Sequence, residues 1–463
     1  MRFGRRSIIF AAFLLAFVSA RPYAGGWNDG SRLATVESLV DRHTFAIDGS
    51  IYVSPWLADR PPYEPGNELA ARYGTSDKLL IDGKYYSDKS PVPALPMAAA
   101  YQLWRWVGGP SASERPDVFA LMLTWLFAGV PYVLAVWAIG RTCNSIGLQP
   151  PWDNVLLAGF AFATLASPYA EQVNNHILLL AVGAGVVEAA VRRGPMTMAR
   201  AAWLGLLAGL GYTIDLGAGP PLALAVFGLV TWQTHGKKRW LSLTAFVAAA
   251  LPVVATHHAI TYAIAGTIGP ANAKAEYLQW PGSPFNSTNI TGGWAHASVA
   301  KAGLYSLDLW FGKKGFILHS PMLLMLFVAL PYSLWRPGRD RRVVVAMTFW
   351  AIVTWGLYAA TSRNLSGACL SIRWFVPLIA PAMLAIGILI RDKPAFRTDL
   401  VVMIVAGLIL NVELMIRGPW DGRVPWLLWP VVGVTVTIWI GLLVRRWRQG
   451  RRPKRSEGDA FVR

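Results

Sequence analysis

Twelve apolar runs joined by short polar segments decide what this chain can become: 7–21, 118–140, 153–168, 175–191, 200–216, 218–234, 240–264, 316–335, 343–360, 372–390, 398–416 and 424–444. Several fall short of the ~20 residues that cross a bilayer as a helix, so their edges are soft. Their recurrence still excludes a chain of soluble domains, as do 54% hydrophobic residues, 15% charged residues and 22 Trp. The expected fold is an all-α polytopic membrane protein of about 12 transmembrane helices. The formal net charge of +18 does not point to nucleic acid, because the basic residues sit between apolar runs. Anionic lipid is the better partner for them. Cys143 and Cys369 fall on opposite sides of the expected topology and make no disulfide framework.

The segment 91–107 (PVPALPMAAAYQLWRWV) tempts a thirteenth span, but it holds three prolines, Gln102 and Arg105. Charge decides the matter. With 91–107 left at the interface, Arg141, Arg192, Arg193, Lys237, Lys238, Arg336, Arg339, Arg391 and the basic tail fall on one side, which the positive-inside rule makes cytoplasmic. Counting it as a span would send most of them outside. The chain thus divides into 1–21 (a first span or signal anchor), an outer loop 22–117 with interfacial helices, a bundle 118–444 with a second outer loop 265–315, and a basic cytoplasmic tail 445–463. The run 7–20 after MRFGRR also fits a cleaved signal peptide, and both readings export residue 22. Both termini are expected in the cytoplasm, in the inner membrane of the cell.

The first outer loop is the unusual region. Ten of the chain's 25 acidic residues lie in its stretch 22–90: Asp29, Glu37, Asp41, Asp48, Asp59, Glu64, Glu68, Asp77, Asp82 and Asp88. Asp29 precedes a helical pattern at Leu33, Val36, Leu39 and Val40, so it is either a helix cap or a general base for an acceptor hydroxyl. Asp82-Gly83 between Leu79-Leu80-Ile81 and Tyr85-Tyr86 predicts a hairpin that delivers Lys89 to headgroup depth. There its ammonium is placed to hold a lipid-linked phosphate, or simply to pair with Asp88. Glu171 is a second carboxylate, assisting the base or holding a metal, or an ordinary loop residue. Lys313, Lys314, Arg363 and Arg373 are outer-face cations, suited to an anion or to lipid headgroups. His176, His257, His258, His296 and His319 lack metal-ligand spacing and read as packing or polar-contact residues. No nucleotide-binding or nucleophile-elbow motif is present. The sequons at Asn286, Asn289 and Asn364 matter only in a glycosylating host.

Five motifs in order give the chain a resemblance. They are Asp29 in D-x-x-R-x-A-x-x-E-S-L-V; Gly83-Lys84-Tyr85-Tyr86-Ser87-Asp88-Lys89-Ser90-Pro91; Ser167-Pro168-Tyr169 with Glu171; Gly312-Lys313-Lys314-Gly315 with Ser320-Pro321; and Arg373-Trp374-Phe375-Val376-Pro377. Together they resemble the GT-C superfamily of membrane glycosyltransferases, in the bacterial branch related to protein O-mannosyltransferases and the aminoarabinose–lipid A transferase. The resemblance implies a polyprenyl-phosphate-linked sugar as donor, an outer-face site, Asp29 as base and Lys89 at the donor phosphate. Glu171, Arg373 and Lys313 follow as further catalytic and phosphate-binding positions. No cofactor is required, although a divalent metal stays open. The departures are Lys89-Ser90-Pro91 in place of the commoner Lys-Pro-Pro and no evident large C-terminal soluble domain, and they leave the acceptor open among glycan, lipid and protein. Three rivals remain. A transporter or flippase of a lipid-linked or anionic solute would need mid-membrane charge, for which Asp215 is the one candidate. A polymerase or ligase using polyprenyl-diphosphate glycans would not need Asp29. A non-catalytic scaffold would use the loop for docking alone.

Overall fold

The computed structural model describes residues 2–55, 58–285 and 293–450, so Asn286, Asn289 and the tail from 451 lie outside it. Helix α1 (Arg2–Ser19) leads into the polar segment. This segment holds α2 (Trp27–Asp41), a short α3 (Glu68–Tyr73), the hairpin β1 (Lys78–Ile81) and β2 (Lys84–Ser87), and α4 (Ala94–Trp106). The bundle begins with α5 (Pro116–Thr124), which passes through a π turn into α6 (Val130–Ile146). It continues with α7 (Trp152–Phe162), α8 (Asn175–Val191), α9 (Met198–Ile214), α10 (Gly219–Gln233) and α11 (Gly236–Ala265). After α12 (Val299–Phe311) come α13 (Leu326–Trp335), α14 (Arg339–Thr361), α15 (Ile379–Asp392), α16 (Arg397–Arg417) and α17 (Leu428–Gly450).

Every one of the twelve apolar runs contains a helix, some headed by a short 3₁₀ turn, while 163–167 and 316–320 are bends and turns. Six helical stretches among the described residues are long and apolar enough to cross a membrane, and Asn175–Val191 and Pro321–Trp335 are shorter apolar helices. Burial sorts them into layers. The stretch Arg373–Asp392 is 89% buried and forms the axis, whereas Gly236–Ala265 is only 11% buried and lies on the rim. Large apolar side chains on the outer helices, such as Leu134, Phe227, Leu251, Phe349 and Val405, face outward. Water would not tolerate so broad an apolar belt, and a bilayer would.

Successive helices run back and forth between two ends. One end is rich in arginine, where loops close through pairs such as Arg5–Asp153 at 2.8 Å, Arg141–Glu188 at 2.8 Å, Arg336–Asp392 at 2.6 Å and Arg391–Asp340 at 3.1 Å. The polar segment covers the other end. Its hairpin pairs Lys78 with Ser87 and Ile81 with Lys84. Asp82 (φ 50°) and Gly83 (φ 77°) both take the left-handed conformation that a two-residue turn needs to match strand twist. The 13 residues of α4 are too few to span, as expected of 91–107. Instead Met97 and Tyr101 pack with Leu33 and Val36 of α2 and Phe119 of α5. Tyr101 donates to Asp41 at 2.9 Å and accepts from the Ala112 N–H at 2.7 Å, so its buried hydroxyl is satisfied.

Candidate functional site at the loop end

The ten acidic residues of the polar segment separate by their partners. Glu37 is closed by Arg42 at 3.0 Å, Ser50 at 2.5 Å and the Ile51 N–H at 3.2 Å. Asp41 takes Tyr101, Asp48 takes the Tyr85 N–H, and Glu64 takes Arg21. Asp29 is different: it is 1% exposed and its hydrogen-bond partners among the described residues are all backbone N–H groups. It sits at the third position of α2 and reaches back over the helix start. Oδ2 accepts from Gly25 at 2.7 Å, and Oδ1 accepts from Gly26 at 2.9 Å and Gly30 at 3.2 Å. Two glycines make this approach feasible. A Cβ on Gly25 would fall 2.3 Å from Trp420 and 2.4 Å from Gln172, and one on Gly30 would fall 2.3 Å from the Tyr63 hydroxyl.

Asp29 therefore does not precede the helix as the sequence suggested; Gly26 is the N-cap and Asp29, at the third helical position, caps the helix start from within, with no cation beside it. Burial pushes it up to about 7, and the backbone donors only partly restrain that rise. Oδ2 carries one hydrogen bond, so a lone pair remains for a hydroxyl. A buried carboxylate that titrates near neutral pH is suited to taking a proton.

One turn further along the same face of α2 comes Arg32, 4% exposed, with Nε lacking a partner among the described residues. Burial draws it down to about 10; Asp88, Asp215 and Asp77 counter this, and Arg373 adds to it. These groups come from five segments of the chain and lie close enough to act on one another. Lys89, just past β2, lies between two carboxylates, at 2.7 Å from Asp77 and 2.8 Å from Asp88. Arg373 lies over the Trp420 ring at 5.2 Å, its Nε also without a partner. The sequence reading passed over Arg32, although its place three residues after Asp29 on a helix was the available signal.

The remaining predicted positions sort as follows. Glu171 is tied up by Arg21. Its Oε2 accepts from Arg21 Nε at 2.8 Å, and Arg21 also binds Glu64 at 2.6 Å and the carbonyls of Met415 and Ile416. Burial still pushes Glu171 up to about 8. Lys313 is exposed, and its neighbour Lys314 turns inward and donates to the Gly367 carbonyl at 2.7 Å. His257, His258, His296 and His319 each make a polar contact, whereas His176 makes no hydrogen bond among the described residues. Asp215 lies at the corner between α9 and α10, at the loop end of the bundle. Among the described residues no three His, Cys, Asp or Glu side chains converge as a metal site would require. Asp77 and Asp88 already share Lys89, so no step is assigned to a metal.

Beside Lys89 a narrow cleft of about 50 Å³ opens between the hairpin and the rim helix α11. Leu79, Ile81 and Tyr86 form one wall and Thr261, Ile264 and Ala265 the other, with Asp88 and Lys89 among its lining. The cleft is thus apolar along its sides and charged where the hairpin ends.

No family model matches the sequence, and no curated protein matches it. Among solved structures the fold is similar to ArnT from Cupriavidus metallidurans bound to undecaprenyl phosphate. That match has 14% identity and a TM-score of 0.49 and covers 95% of this chain and 75% of that one. An Archaeoglobus fulgidus oligosaccharyltransferase matches at 13% identity and TM-score 0.43, over 90% of this chain and 54% of that one. The arabinofuranosyltransferase AftD from Mycobacteria matches at 14% identity and TM-score 0.45, over 92% of this chain and 28% of that one. At these values the likeness concerns the course of the chain and says nothing of the side chains.

Proposed function

We propose that the chain is a GT-C-type membrane glycosyltransferase. It moves a sugar from a polyprenyl-phosphate donor to an acceptor hydroxyl at the extracytoplasmic face of the inner membrane. One observation carries the reading: Arg32, Lys89 and Arg373 gather around His176, Arg32 on the Asp29 face of α2 and Lys89 on the wall of an apolar cleft beside the rim helix. The cleft suits an isoprenoid chain, and the cations suit the phosphate at its head. Polyprenyl phosphate is itself a good leaving group, so no nucleotide has to reach this face.

The chemistry asked of the protein is then modest. The acceptor oxygen forms a bond to the anomeric carbon while the bond from that carbon to the phosphate oxygen breaks. The hydroxyl proton passes to Asp29, and the bonding electrons leave with the phosphate. Arg32 and Arg373 stabilise the departing charge, because Lys89 is already neutralised by two carboxylates. Positioning the two substrates together supplies much of the remaining barrier reduction. A transporter would call for charge inside a span, and Asp215 instead caps a helix corner.

The test is transfer from a radiolabelled polyprenyl-phosphate sugar in membranes carrying wild type, Asp29→Asn or Lys89→Ala at matched protein level. Asp29→Asn is expected to lose activity by at least ~10²-fold. Full activity in that variant would end the base assignment. Wild-type activity only with polyprenyl-diphosphate glycans would favour a ligase or polymerase.

A further inference from the structure

Helix α8 opens with two consecutive buried polar residues, Asn175 and His176, which are 7% and 2% exposed. Both carry atoms without a partner among the described residues: Oδ1 of Asn175 and both ring nitrogens of His176. An apolar helix that buries three such atoms at its first turn bears a cost that packing does not repay. They are also held in place. Asn175 Nδ2 donates to Asp215 Oδ2 at 2.7 Å, and Nδ1 of His176 lies 3.8 Å from that same oxygen. A carboxylate accepts and does not donate, so the amide must turn its NH₂ to Asp215 and its oxygen away. Asp215 is immobilised in turn by the N–H groups of Gly217 and Ala218 at 2.9 and 3.0 Å and by the Tyr358 hydroxyl at 3.1 Å. Tyr358 stacks on Trp374 at 4.3 Å, one residue from Arg373. Besides Asp215, the charged groups acting on His176 are Arg373, Arg32 and Lys89, the cations already assigned to the phosphate end of the donor.

We infer that Asn175 and His176 form a subsite that reads hydroxyl groups on the transferred sugar ring, with Asp215 and Tyr358 as positioning residues. This rests on the glycosyltransferase reading and deepens it. A fixed amide acceptor beside an imidazole that can donate or accept matches a pair of neighbouring ring hydroxyls. The sugar next to a bound phosphate would bring such a pair within reach of both. The ligand class is therefore a pyranose or furanose with free adjacent hydroxyls. A sugar whose hydroxyls at those positions are removed or capped should be rejected, because the buried atoms would stay unpaired.

The experiment uses full-length protein in membranes and undecaprenyl-phosphate mannose, glucose, galactose and arabinose, with monodeoxy analogues of whichever sugar the wild type transfers. One deoxy analogue should fall at least ~10-fold in kcat/KM with the wild type. With His176→Ala the parent sugar should fall by a similar factor, and that same analogue should lose little more. His176→Gln should restore part of the parent rate, and binding of sugar-free undecaprenyl phosphate should persist in both variants. Equal losses for parent and every deoxy analogue would overturn the inference, as would loss of undecaprenyl phosphate binding in His176→Gln. The wild-type deoxy series decides the matter even if His176→Ala does not accumulate. No transfer of any sugar by wild type would overturn the glycosyltransferase reading itself, and this inference with it.

Discussion

The two ends of the bundle handle charge in opposite ways. At the arginine-rich end, guanidinium groups meet carboxylates or helix-terminal carbonyls, as Arg391 meets Asp340, Asp392 and the Ile146 carbonyl. At the loop end, Arg32 and Arg373 have no carboxylate within ion-pair distance among the described residues, and Asn175 and His176 keep free polar atoms. Pairing closes helix termini and fixes loops. Charge that is buried and left open costs stability and is kept where a substrate completes it. The contrast also separates groups within the loop end: Arg21 with Glu171 is built like the far end, and Arg32 is not.

That contrast can be broken at several points. The largest effect is expected at Arg21, which ties Glu171, Glu64 and the end of α16 together. Arg21→Ala strands a carboxylate that is 1% exposed and should cost about 3–5 kcal/mol, read as a fall in thermal stability. Next comes Arg32→Ala, which removes an open charge from the site. Transfer should fall ~10²–10³-fold while stability changes little, because the lost group has no ion pair to strand.

A third effect follows from pH. The folded protein holds Asp29 at about 7, above its ordinary value of 3.8. The base form therefore grows as pH rises through 7, and kcat/KM should climb over that range. The sign for stability is opposite. Folding favours the protonated form, so the contribution of Asp29 is complete below 3.8 and is lost as pH rises through 7. A pH profile of activity that is flat from 6 to 8 would remove Asp29 as the base. The smallest effect is expected at Arg336, which is 39% exposed and pairs with Asp392 at the far end. Arg336→Ala should cost under about 1 kcal/mol and leave transfer unchanged.

Much of the architecture was legible in the sequence, because apolar runs and turn residues act locally. The helices follow the runs, the hairpin turns at Asp82-Gly83, and 91–107 stays out of the span set, since three prolines and Arg105 fit a short covering helix better than a crossing one. The site was harder to read. Asp29 and Lys89 stood out, but whether Lys89 is free or neutralised depends on Asp77, twelve residues away and across the hairpin. His176 looked like packing because its lack of a partner appears only once α2, α9 and Arg373 close around it. Lys313 and Lys314 are equivalent in sequence, and the local turn at Gly312–Gly315 decides which of them faces inward. Partnering across long separations is what a single sequence does not display.

The most direct test compares the two ends in one assay. Transfer from a radiolabelled undecaprenyl-phosphate sugar would be measured for wild type, Arg32→Ala and Arg336→Ala in membranes at equal protein level. Loss of at least ~10²-fold in Arg32→Ala, with wild-type rates in Arg336→Ala, is the expected result. Retained transfer in Arg32→Ala, or equal loss in both variants, would contradict a catalytic site at the loop end.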